Sequence, residues 1–126
     1  MAKKHDAKDA LLLALYAEYN KDAGDFRRAT AGLLEMEKAT WLWSLMMLKT
    51  DGLVEGVNWI PPGASSADRV AAINTKHLRL TREGVEKARE LVGADGKNRK
   101  DALVRVMEWF ADVGLEVAKE YLLRQL

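Results

Sequence analysis

An α+β fold, mainly helical with one small β-hairpin, is predicted by three features of this sequence. The stretch from Glu37 to Trp59 reads as an apolar helix, a glycine stop at Gly52 and an alternating strand. A second strand at His77 to Leu80 is placed to return against the first, and Thr81 then caps another helix. Residues 99–126 add a long amphipathic helical pattern after a short polar link.

Composition sets the outer bounds. With 126 residues, one domain with a modest appendage is expected. An apolar share of 48% beside 31% charged residues is that of an ordinary globular protein. Lys and Arg number 20 against 19 Asp and Glu, so the net charge of +1 points to no polyanionic partner by itself. There is no cysteine, which excludes disulfides, thiolate metal sites and thiol nucleophiles and agrees with a cytoplasmic location. Lys3 and Lys4 precede an apolar run, Ala10 to Ala17, but Asp6 and Asp9 acidify its start and Glu18 ends it, so no signal peptide is expected. No run approaches the roughly 20 apolar residues of a membrane span.

In chain order, the first helix covers residues 6–21, capped by Asp6 or Asp9, with Leu11, Leu12, Leu15 and Tyr19 at helical spacing to support the core. Gly24 and Asp25 break it. Phe26 to Thr30, with Arg27 and Arg28, form a short second helix, and Gly32 to Met36 turn into the third. The third helix, Glu37 to Asp51, places Trp41, Ser44, Leu45 and Leu48 against the first helix and Leu42, Trp43, Met46, Met47 and Thr50 on the far face. A helix so apolar all round is buried on both sides or has a partner.

Leu53 to Ile60 is expected as one strand, with Leu53, Val57 and Trp59 on one side and Glu55 between them, ended by Pro61, Pro62 and Gly63. The connection that follows is long, and Ser66 with Ala67 to Ile73 is expected to cap and form one or two helical turns. On the return strand Leu78 and Leu80 point inward and His77 and Arg79 outward. A fourth helix runs from Arg82 to Val92, with Glu83 near its positive end. This order of elements is that of a winged helix-turn-helix domain over residues 1–93.

Residues 94–98 form a linker with Asp95-Gly96 as its turn. One helix, Arg99 to Leu126, then extends for about 28 residues, on the order of 42 Å. Its apolar stripe centres on Leu103, Met107, Phe110, Gly114, Val117 and Tyr121. With flanking Val104, Val106, Ala111, Val113, Leu115 and Leu122, the stripe covers roughly 200°, too wide for one neighbour. Either the helix lies across Trp43 and Met47 of the third helix and finishes the core, or it also packs on its copy in a homodimer, which is the expectation adopted.

With these residues located, the chain resembles the YjcQ-like family of small winged-helix proteins of bacteria and their prophages, over about residues 8–92. Trp41, Leu45, Leu48, Gly52, Leu53, Val54, Gly56 and Val57 correspond to the family's aromatic-to-glycine helix end and following strand. Leu80, Thr81 and Gly84 match its entry into the last helix. The wing is longer here, the far face of the third helix is more apolar, and Lys87 and Ala88 stand where an aromatic and an aliphatic residue are usual. The resemblance implies a DNA-binding type of fold and a C-terminal amphipathic helix.

Catalytic patterns are weak, and no enzyme, cofactor or metal site is expected. His5 and His77 lie far apart, Ser65 and Ser66 make no nucleophile elbow, and Gly96-Lys97 lacks the spacing of a phosphate loop. Double-stranded DNA is the partner the fold suggests, with Arg27, Arg28, Lys38, Lys49, Arg69, Lys76 and Arg79 as candidate contacts. Residues 35–51 nevertheless sum to −1, residues 52–82 to +2, and Trp43, Met46 and Met47 do not read base edges. The alternative is a protein-interaction module that binds a phage or host protein. Its candidate interface residues are Trp43, Met46, Met47, Leu103, Met107, Phe110, Val117 and Tyr121.

Overall fold

The computed structural model describes residues 7–60, 72–93 and 98–125, with backbone alone for residues 59, 60 and 72–74. Within them the chain is mostly helical with a small antiparallel sheet, the α+β class expected. The first helix, α1 (Ala7–Tyr19), has no wet side over most of its length, since every residue from Ala10 to Glu18 is buried. Its alanines and leucines are strong helix formers that can pack in every direction. It is therefore the centre of the core.

A 3-10 turn, Phe26–Arg28, follows in place of the expected second helix, because Asp25 caps it by accepting the Arg27 amide and it lasts only three residues. The chain then turns through residues 31–35 into α2 (Lys38–Thr50), the predicted third helix. An ion pair of 3.3 Å between Lys8 and Asp51 joins the start of α1 to the end of α2, and the two helices pack on each other. Leu42, Ser44, Leu45 and Leu48 are buried, and Trp41 is half-buried with its indole donating to the Ala29 carbonyl at 2.9 Å. Leu42, expected on the far face, thus belongs to the core. Gly52 closes the helix in the left-handed region at φ 78°, as its position implied.

The single strand expected from Leu53 to Ile60 is two, β1 (Val54–Glu55) and β2 (Asn58–Ile60), separated at Gly56 and Val57. They pair antiparallel with β4 (Arg79–Leu80) and β3 (Ala72–Asn74), in the registers Val54 with Leu80 and Asn58 with Asn74. Val54 and Val57 are buried and Leu53 is half-buried against the core, while the side chain of Trp59, expected on the same side as Leu53 and Val57, lies outside the described part. Leu78 and Leu80 are buried while His77 and Arg79 are exposed, as expected. The helical turns proposed around Ser66 lie mainly outside the described residues, and their last two residues, Ala72 and Ile73, are strand.

The next helix, α3 (Arg82–Val92), has the predicted bounds, with the Thr81 hydroxyl accepting the Gly84 amide at 3.0 Å and donating to the Gly52 carbonyl at 2.6 Å. Gly84 lets α3 approach β1, since a Cβ there would stand 2.1 Å from the Leu53 carbonyl oxygen.

The long C-terminal helix is corrected. It is two helices, α4 (Arg99–Val113) and α5 (Glu116–Leu123), broken at Gly114 with φ 80°. Both Gly114 and Leu115 donate their amides to the Phe110 carbonyl, a helix stop that requires the left-handed conformation glycine tolerates. α5 packs back on α4, and α4 packs on α1. Ala102, Leu103, Val106, Trp109 and Phe110 are buried. The inward face is therefore rotated toward Trp109, which the expected stripe omitted. Trp109 meets Phe110 edge-on at 5.2 Å. Much of the stripe width that suggested a second chain is used within this one.

Two stability outcomes follow. The buried Ser44 hydroxyl has no hydrogen-bond partner among the described residues, so Ser44→Ala is expected to stabilise the protein by about 1 kcal/mol in denaturant unfolding. Gly114→Ala is expected to lose about 1 kcal/mol or more in the same assay, because alanine resists a positive φ; an unchanged midpoint would mean that the helix break is dispensable.

Candidate functional site

Two surfaces carry the residues nominated from sequence. The first is the outward side of α2. At 3.6 residues per turn, Ala39, Trp43, Met46 and Thr50 recur at spacings of four, three and four and form one line along the helix. All four are exposed, Trp43 by 51% and Met46 by 42%. Met47 beside them is half-buried. The alternative in which the C-terminal helix covers Trp43 is therefore corrected, since its two halves pack around α1 and each other. Lys38 and Lys49, both exposed, lie eleven residues apart and so about 20° apart around the axis, at the two ends of the helix and roughly 100° from the line of Trp43 and Met46.

The other nominated cations are less available for a phosphate. Arg27 makes a bidentate pair with Asp25, at 3.0 and 2.9 Å, and this guanidinium with its amide holds the Asp25 carboxyl down at about 2. Arg79 pairs across the β1–β4 ladder with Glu55 at 2.5 Å. Lys76 is exposed beside the strand turn, and Arg69 lies outside the described residues. Of the nominated interface residues on the C-terminal segment, Leu103 and Phe110 belong to the core, Met107 is half-buried, and Val117 is 43% exposed on α5.

The second surface surrounds Tyr121 and Arg28. Glu18, at the end of α1, is 3% exposed, and both of its oxygens are occupied. Oε1 accepts the Asp25 amide at 2.9 Å; Oε2 accepts Lys21 at 2.5 Å and the Tyr121 hydroxyl at 2.6 Å. The Lys21 ammonium also sits 3.7 Å from the Tyr121 ring centroid. The Arg28 guanidinium lies on the outer side of the Tyr121 oxygen, and the two interact electrostatically. Burial first, then the bond to Glu18, pushes the Tyr121 phenol up to about 12, with Arg28 acting in the opposite direction. Tyr121 was nominated for a protein interface and is instead the tie between α5 and α1.

Glu18 and Lys21 were missed. The signal was present, because Glu18 follows Leu11 and Leu15 at spacings of four and three and so sits on an apolar face of the helix. A carboxylate there must find a buried cation, and Lys21 is one turn on.

Comparison with protein-family models, curated proteins and solved structures found no match. Among the described residues, no group of three or more His, Cys, Asp or Glu side chains is placed to hold a metal ion, and no helix is long and apolar enough to cross a membrane.

Glu18→Ala is expected to destabilise the protein by about 3 kcal/mol, since it strands the buried Lys21 charge. In ultraviolet titration Tyr121 is expected to ionise near pH 12. Its folded value lies above the unfolded one, so its stabilising share is intact below about pH 10 and is lost as pH rises from there through 12. Tyr121→Phe should remove that titration step, and ionisation of Tyr121 at the ordinary tyrosine value would show that the phenol is not held by Glu18.

Proposed function

We propose that this chain is a winged-helix protein that acts by binding, and that the outward face of α2 docks an apolar surface of another protein. The order of elements supports the scaffold: α1, a short turn, α2 across α1, a hairpin beside it, and α3. The resemblance to the YjcQ-like family rests on residues in these same elements. The single observation that carries the binding reading is the exposure of Trp43 and Met46 on the line where a winged helix normally presents polar base-reading side chains. A half-exposed tryptophan beside flexible methionine is a good protein anchor and a poor reader of bases. The partner is a phage or host protein or a second copy of this chain, and the mass in solution separates the last case.

A second reading, double-stranded DNA, is favoured by one observation. Lys38 and Lys49 lie on one side of α2 at its two ends, beside the Trp43 line, and with exposed Lys76 on the hairpin they offer cations to a phosphate backbone. In that case binding weakens steeply with salt, and the slope flattens in a Lys38→Ala, Lys49→Ala variant. On the protein reading, mixed duplex DNA does not bind even at low salt.

Trp43→Ser and Met46→Ser are expected to change unfolding free energy by no more than about 0.5 kcal/mol, since neither side chain packs on the core. A photo-reactive residue at position 43 should trap one discrete protein, and Met46→Asp should abolish the trapping. Equal trapping from the exposed Lys87 on α3 would overturn the protein-docking reading.

A further inference from the structure

The geometry points to a second site on the opposite elements. We propose that the cleft between the C-terminal turn of α1, the first turn of α4 and the end of α5 binds a small phosphoryl-type anion. The cleft has a volume of about 400 Å³, within the roughly 300–1,000 Å³ of small-molecule sites. Four cations line it, Lys21, Arg28, Arg99 and Lys100, against one carboxylate, Asp22.

That carboxylate is already engaged, because Asp22 pairs with Arg99. Glu18 lies behind the cleft with both oxygens occupied, and even when it is counted the cations exceed the anions by two. Arg28 leans on a phenol oxygen, and Lys100 has no ion pair among the described residues. Two positive charges therefore face the cleft without a matching negative one.

Three further features separate this cleft from an ordinary solvated basic patch. Lys21 has a side chain only 4% exposed and is fixed between Glu18 and the Tyr121 ring, so it supplies a positive charge held in place behind the cleft wall. Burial depresses its ammonium below the usual lysine value and outweighs the bond to Glu18, with Arg28 pushing the same way; a nearby anion would relieve both. The floor also includes the start of α4, a helix of 15 residues. There Asn98 caps the Asp101 amide, while the first-turn amides of Arg99 and Lys100 have no partner within the helix.

Phosphate suits this set better than a carboxylate, since it offers several acceptor oxygens to cations arriving from three elements. Exposed Gln125 at the edge supplies a neutral donor to whatever carries the phosphoryl group, while buried Asn20 is tied to the Tyr16 carbonyl at 2.8 Å. The site shares no residue with the outward face of α2 and stands or falls separately from the reading of that face.

The experiment is an amide NMR titration of the full chain with inorganic phosphate at constant ionic strength, with chloride as the balancing ion. Saturable shifts confined to residues 20–23, 28 and 99–103 are expected. Arg28→Ala and Lys100→Ala should each weaken the affinity by about tenfold, while Lys87→Ala leaves it unchanged. Both cleft residues are exposed, so the variants should fold, and an unchanged amide spectrum away from the cleft confirms it; Lys100→Glu serves as a second, charge-reversing variant. Shifts that grow in proportion to phosphate without saturating, or that are identical in the variants, would overturn the proposal. So would shifts produced by a DNA duplex and not by phosphate, which would make the cleft a nucleic-acid backbone contact.

Discussion

A helix with no wet face imposes its needs on everything around it. From Ala10 to Glu18, α1 is buried on every side, so the rest of the chain must supply a complete shell. α2 packs on one side, α3 and β4 take another, and α4 closes a third. The bend at Gly114 belongs to this shell, since it returns α5 to α4 and brings Tyr121 to the end of α1. A straight helix of the expected length would have carried Tyr121 away from Glu18 and left that carboxylate with Lys21 and the Asp25 amide only.

Burying Glu18 makes the end of α1 a point where an electrostatic requirement sets geometry. A carboxylate at 3% exposure is tolerable only with both oxygens hydrogen-bonded, and here an amide, an ammonium and a phenol converge on it. The convergence fixes the loop at Asp25, the path of α5 and the position of Lys21 together. It also gathers cations around one cleft, because Lys21, Arg28 and Arg99 are held by contacts that belong to this junction. On the other side of α1, α2 faces no such constraint, and its Trp43 and Met46 remain available to a partner.

How much was legible varied with the range of the signal. α3 was read to the residue because its cap, Thr81 with Gly84, and its glycine stop, Gly93, each act over about one turn, and the return strand was found, though longer than β4, because Leu78 and Leu80 alternate against a buried face. The stripe after Arg99 was read correctly as apolar but wrongly as straight. Gly114 fell in phase with Phe110 and Val117, so periodicity counted it as a member of the stripe and hid the stop that Gly114 and Leu115 form with Phe110. Trp109 was lost for the same reason, since a face centred on the wrong line leaves its neighbour outside. For the candidate sites, Trp43 and Met46 were visible as apolar residues out of place, whereas Arg27 and Arg79 looked like free cations until Asp25 and Glu55 were found beside them.

The sequence by itself determined the helices α1, α2 and α3 and a hairpin between α2 and α3, and that α2 carries more apolar surface than one contact can bury. Capping, glycine stops and side-chain period are properties of residues close along the chain. The tertiary structure alone decided that α1 is enclosed, that α5 turns back, which arginines are neutralised and that Glu18, Lys21 and Tyr121 meet. Those outcomes depend on contacts as far apart as residues 18 and 121, and a pattern that repeats every three or four residues is the same whichever neighbour it finally packs against.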